Sequence, residues 1–180
     1  MKKITIPSGE MFNSATNEFI TVKGQTITLE HSLVSLSKWE AKYHKPWLTK
    51  FPENYQEFID YVRFMTLTQN VDPMIYNFLT KAQIEEILKY IQEPMTATTI
   101  SSHGGGRGHQ VVTAEVIYYW MISFGIPVEV CQKWHLNRLM MLIRVCGEMN
   151  GPKKKIGPQD LAMRNNSLNA ARKAALHTRG

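Results

Sequence analysis

Two apolar stretches separated by a single Ile-Pro step constrain this chain most. They are "VVTAEVIYYWMISFG" (111–125) and "VEVCQKWHLNRLMMLIRVCGEMN" (128–150). The first is apolar on nearly every side and is closed by Gly125 and Pro127. The second carries a stripe of Cys131, His135, Leu139, Leu142 and Cys146. Helix periodicity of this kind, joined by so short a link, predicts two antiparallel neighbouring helices at the centre of a core.

Upstream segments repeat the helical period. Leu33, Leu36, Trp39 and Tyr43 predict a helix that stops before Pro46. "PENYQEFIDYVRFMTLT" places Phe58, Val62 and Met65 on one side of a second helix, and "DPMIYNFL" reads as a short helical turn. "TKAQIEEILKYIQEP" is a third helix, capped by Thr80, striped by Ile84, Ile87, Leu88 and Ile91, and ended by Pro94. Residues 3–30 differ. "KKITIP" and "NEFITVKGQTITLE" are rich in Ile, Thr, Phe and Val, with Lys23-Gly24 marking a turn. A hairpin or small meander is expected, too small to stand without the helices. The fold class is therefore mainly α: a helical bundle with a small N-terminal β-hairpin or meander and a basic C-terminal helical tail.

Charge divides the chain. Residues 1–150 hold 14 Lys+Arg and 14 Asp+Glu, whereas 151–180 hold seven Lys+Arg and only Asp160, so the net +6 lies in the tail. "GPKKKIGP" breaks the chain, and "QDLAMRNNSLNAARKAAL" follows as a last helix with a thin stripe of Leu161, Leu168, Ala171 and Leu176. The expected organisation is one globular domain over 1–150, β-rich in 1–30 and helical in 31–150. A basic linker and C-terminal helix follow over 151–180. The opening residues lack an apolar signal region, and no run reaches membrane-spanning length. The two cysteines, fifteen residues apart in or near one helix, would lie about 22 Å apart at 1.5 Å per residue. That separation forbids a bridge and fits a reducing compartment.

Four places in the sequence are candidates for chemistry or binding. "SSHGGGRGHQ" (101–110) lacks the Lys and hydroxyl of a phosphate loop and the spacing of a dinucleotide turn, so it reads as a connector. His103, His109, Cys131 and His135 could in principle surround zinc. No local CxxC or HxxxH pair anchors them, and Cys131 and His135 read as core residues of one helix. The same pair has no oxyanion-hole motif beside it, so no catalytic residue, cofactor or metal is expected. The basic tail offers charge without interleaved aromatics for base stacking. Trp120, Trp134 and Met140, among many aromatics and methionines, exceed what one helix face hides and suggest a protein-binding surface. With Lys153, Lys154, Lys155, Arg164, Arg172 and Lys173 they form the expected partner-binding set.

Across "EHSLVSLSKWEAKYHKPWL", "YVRFMTLTQNVDP", "AEVIYYWMISFGIPVEVCQKWHLNRLMMLIRVC" and "AMRNNSLNAARKAALHTRG", the sequence resembles tail assembly chaperones of tailed bacteriophages. The resemblance covers nearly the whole chain and rests on apolar and aromatic pattern. It implies a mainly helical, non-enzymatic tail-morphogenesis protein of the host cytoplasm. It also implies binding to the tape-measure protein or other tail proteins, with self-association possible. The alternative is a small structural part of the tail or baseplate that stays in the virion. A third reading is nucleic-acid binding through the tail.

Overall fold

The computed structural model describes residues 1–13, 17–99, 111–150 and 158–176. Its first compact unit is Met1–Glu148 and its second is Met149–Gly180. The Ser101–Gln110 glycine loop and Lys153–Lys155 lie outside the described residues.

The first unit begins with four strands, β1 (Lys2–Ile6), β2 (Gly9–Asn13), β3 (Glu18–Val22) and β4 (Gln25–Leu29). β1 pairs antiparallel with β4, and β2 with β3. Residues Lys2↔Leu29 and Gly9↔Val22 belong to one register, since both pairs of residue numbers sum to 31. The four strands are one antiparallel ribbon interrupted at Pro7–Ser8 and Lys23–Gly24. Pro7 has no N–H to give a ladder. A Cβ on Gly24 would stand 2.8 Å from the Ser8 backbone nitrogen and 3.1 Å from the Ile6 carbonyl oxygen. Lys23-Gly24 is therefore a break inside the ribbon, not the hairpin turn expected from sequence. The chain reverses instead between Asn13 and Glu18.

The two halves of the ribbon have different surroundings. Ile4, Ile6, Ile27 and Leu29 of the proximal half are buried. The segment after the second helix covers the free edge of β4: Leu67 N–H donates to the Thr28 carbonyl at 2.8 Å, and Glu30 N–H to the Met65 carbonyl at 2.9 Å. Gln83 reaches the Thr5 carbonyl of β1 at 2.7 Å. In the distal half only Val22 is buried among the described side chains.

Helix α1 (Leu33–Tyr43) starts where Ser32 and Ser35 form a reciprocal capping box, and ends at His44 in the left-handed region, φ 54°. Leu33, Leu36 and Trp39 are buried along the expected stripe. Helix α2 (Tyr55–Met65) starts at the Asn54 cap, packs on α1, and buries Phe58, Ile59, Tyr61, Val62 and Met65. Trp39 Nε1 donates to the Glu57 carbonyl at 2.9 Å and fastens the two helices together. A 3-10 turn occupies Ile75–Phe78. Helix α3 (Lys81–Gln92) has the Thr80 cap, completed by Gln83 as a capping box.

Helices α4 (Ala114–Ser123), α5 (Val128–Cys131) and α6 (Leu136–Asn150) take the place of the expected long pair. α4 packs on α1 through Ala114, Ile117 and Met121, and its Tyr119 and Ile122 are 67% and 70% exposed. It lies at the side of the core, not at its centre. The second stretch is not one helix, because the chain bends at Gln132–His135. Leu136 N–H donates to the His31 carbonyl at 2.7 Å, and His135 forms a β-bridge with Ser32. Those tertiary bonds replace helical ones. Cys131 and His135 therefore do not share a helix, and the 22 Å separation derived for a continuous helix does not apply. Both cysteines are free thiols, Cys131 buried and Cys146 half-buried.

In the second unit, α7 spans Pro158–Leu176. Met163 and Leu168 are exposed along it.

The crossing at Gly24 makes a direct prediction. Gly24→Ala should lower unfolding free energy by about 1–3 kcal/mol, the usual cost of forcing atoms into a filled site. Urea unfolding monitored by tryptophan fluorescence measures it, and an unchanged midpoint would show that the ribbon break accommodates a Cβ.

Candidate partner-binding site and the buried polar junction

The expected partner-binding residues fall in both units. Trp120 is half-buried on α4. Trp134 sits in the bend between α5 and α6, not on a helix antiparallel to that of Trp120. It is half-buried, with the Arg138 guanidinium 4.4 Å above its ring centroid. Met140 is half-buried on α6. Arg164, Arg172 and Lys173 belong to α7, where Arg172 and Lys173 are exposed. The most exposed apolar side chains of the first unit's described elements are elsewhere: Phe19 on β3 and Tyr119 and Ile122 on α4. The expected set leaves them out because alternation and helical period do not reveal which face goes uncovered.

Polar chemistry, by contrast, is concentrated inside. "Glu30-His31-Ser32", between β4 and α1, is buried throughout. The Tyr61 hydroxyl and His31 Nδ1 share a 2.6 Å hydrogen bond. Tyr90 of α3 donates its hydroxyl to Glu30 Oε1 at 2.8 Å, and the terminal ammonium of Met1 pairs with Glu30 Oε2 at 3.0 Å. His135 Nε2 meets the Tyr90 carbonyl at 3.1 Å, while its Nδ1 accepts from the Asn137 N–H at 3.3 Å. That arrangement makes Nε2 the protonated nitrogen of a neutral ring. The His31 and His135 rings lie edge-to-face at 5.1 Å, and Trp47 stacks on Tyr61 at 4.4 Å.

Burial, and then the neighbouring His135, push His31 down to about 3. Burial also lowers His135, against the opposing pull of the Tyr90 carbonyl and Glu30. Both rings are neutral at neutral pH. Burial raises Tyr61 well above its ordinary value and raises Tyr90, where the bond to Glu30 adds to the effect. All four shifts lead away from neutrality, the two rings downward and the two phenols upward.

Two carboxylates serve as clamps. Glu40 of α1 accepts from Trp47 N–H at 3.0 Å and from Ala114 N–H, at the first turn of α4, at 2.7 Å. Burial raises its pKa, and those two bonds oppose the rise. Asp60 of α2 is buried among Lys42, Tyr43, Gln56 and Arg63. Burial alone would raise it, yet the bonds from Lys42 and Tyr43 leave it below the usual range. Among the described residues no group of three or more His, Cys, Asp or Glu side chains could hold a metal ion. His103 and His109 lie outside those residues.

The histidine pair contributes a pH dependence to stability. Each ring's folded pKa lies below its unfolded value of about 6.5, so the unfolded chain takes the proton first. Their contribution is complete above about pH 6.5 and is lost progressively as pH falls toward 3. Unfolding by urea between about pH 7 and about pH 4 should show stability falling with acid, and His31→Gln should flatten that slope. An equal slope in the variant would place the acid sensitivity on the carboxylates. No protein-family model, curated protein or solved structure matches the chain.

Proposed function

We propose that this chain is a non-enzymatic assembly protein that holds another protein chain. By the resemblance described above, it acts as a tail assembly chaperone for a tape-measure protein in the host cytoplasm. One observation carries this reading. At the junction His31, Tyr61, Tyr90 and His135 are buried in hydrogen bonds that hold separate segments together, while large apolar side chains face outward. Tyr119 and Ile122 on α4 and Phe19 on the ribbon exemplify the second half of that contrast. An enzyme needs the reverse placement, with reactive groups lining a cleft. A protein that holds a partner needs exposed aromatic and aliphatic contacts of moderate area.

The basic C-terminal helix supplies the second requirement. Arg172 and Lys173 are exposed on α7, beside exposed Leu168 on the same element. Charge with a thin apolar stripe suits docking on an acidic helical partner. The same charges suit phosphate backbones, so the test must separate the two. Among the described residues no helix is long and apolar enough to cross a membrane.

Truncation after Asn150 is the test. The shortened chain should keep its thermal midpoint and lose co-purification with co-expressed tape-measure protein. Loss of a salt-sensitive affinity for DNA or RNA, with protein binding intact, would favour the nucleic-acid reading instead. Retained binding of both kinds would remove the tail from the function altogether. Stoichiometric presence of the protein in finished particles would favour the structural tail or baseplate alternative.

A further inference from the structure

The distal half of the ribbon, β2 and β3, has the features of an unfinished sheet. Directly paired residues share a face, so Met11 and Ile20 lie on one side and Phe12 and Phe19 on the other. The two phenylalanine rings touch across the strands at 5.2 Å. Phe12 is 50% and Phe19 72% exposed. Apolar pairs on both faces mark strands meant to be covered on both faces. The proximal half of the same ribbon has its β4 edge bonded by the segment after α2. Among the described residues no backbone group outside the ribbon bonds to β2 or β3.

The two edges are not equal. The Phe78 ring packs on Gly9, close enough that a Cβ there would meet it at 2.2 Å, and so holds the start of β2. Glu18, Phe19, Ile20 and Thr21 of β3 are all exposed. Two-stranded ribbons are marginal in water, and proteins normally protect such edges with lysine, proline or a bulge. β3 carries none of these between Glu18 and Val22.

We propose that β3 is a self-association edge that pairs antiparallel with β3 of a second copy of this chain. The pairing is centred on Ile20 and gives a four-stranded sheet β2-β3-β3-β2. The β3 sequence is complementary to itself in this register. Ile20 stands opposite Ile20, and each Phe19 opposite Thr21 of the other copy, an aromatic facing a β-branched residue. No like charges stand opposite, and Glu18 of each copy comes to the Val22–Lys23 end of the other. The two Phe19 rings become diagonal neighbours on one face, within aromatic reach, and extend the Phe12–Phe19 pair into a row of four. The proposal depends on the ribbon alone and goes beyond the assembly role argued above.

Area sets the strength. At about 200 Å² per phenylalanine, the exposed parts of Phe12 and Phe19 amount to roughly 250 Å² per copy. A stable stand-alone interface needs about 800 Å² per partner. The contact is therefore weak and concentration-dependent, suited to copies already gathered on a common partner.

Sedimentation velocity on the full chain over a wide concentration range tests this directly. The wild type should shift from monomer toward dimer as concentration rises. Ile20→Lys sets like charges opposite at the two-fold axis and should stay monomeric, with unchanged circular dichroism and melting. In a Cys146→Ser background, pyrene on Ile20→Cys should give excimer emission that grows with concentration, and pyrene on Glu10→Cys should not. A wild type monomeric throughout would overturn the proposal. So would a dimer that survives Ile20→Lys, or equal excimer from both labelled sites.

Discussion

The structure depends on the backbone at Glu30-His31-Ser32. In these three residues the ribbon ends, α1 is capped, and the segment leading into α6 is tied down. Glu30 N–H donates to Met65 at the end of α2, and the His31 carbonyl accepts from Leu136. The Ser32 hydroxyl begins α1 through its box with Ser35. The side chains reach the remaining elements: Glu30 takes the Tyr90 hydroxyl of α3, and His31 meets Tyr61 of α2. A buried polar group without a partner is costly, so each of these bonds fixes the element that supplies it. Glu40 repeats the device one helix further on, joining α1 to the Trp47 loop and to the start of α4.

This junction explains which parts of the fold were legible in the sequence. Helices α1 and α3 were legible because their signals are local. Thr80 followed by Gln83, ahead of the Ile87 and Ile91 stripe, specifies a helix start without help from elsewhere. The bend at Gln132–His135 was not legible. Its sequence, "QKWH", suits a helix, and only the distant His31 carbonyl and the Tyr90 carbonyl draw Leu136 and His135 out of it. Strand β2 was missed for a similar reason. "GEMFN" has a glycine, a glutamate and an asparagine and no β-branched residue, and it becomes a strand through its register with β3. The exposed outer face of α4 was missed because its apolar pattern runs nearly all round. Pattern alone gives no direction for Tyr119 and Ile122.

The structure gives the expected contact residues different surroundings. An excess of aromatics and methionines pointed to a contact surface. Yet Trp134 lies half-buried under Arg138 in a bend, while Phe19 on the ribbon and Tyr119 on α4 stand more exposed. The histidine nearest to a metal or nucleophile reading, His135, instead bonds the Tyr90 carbonyl across the junction. Its role is to hold the bend.

A polar junction locking the interior, with the β3 edge left loose, can be measured amide by amide. Native-state hydrogen exchange on the dilute protein reads both regions at once. The Glu30 and Leu136 amides should exchange only through global unfolding, with a protection free energy equal to that from urea. The amides of Phe19, Ile20 and Thr21 that do not face β2 should exchange through local opening, orders of magnitude sooner. The opposite order, a labile Leu136 amide beside a fully protected β3 in the dilute monomer, would contradict the junction as the centre of stability and the ribbon edge as unfilled.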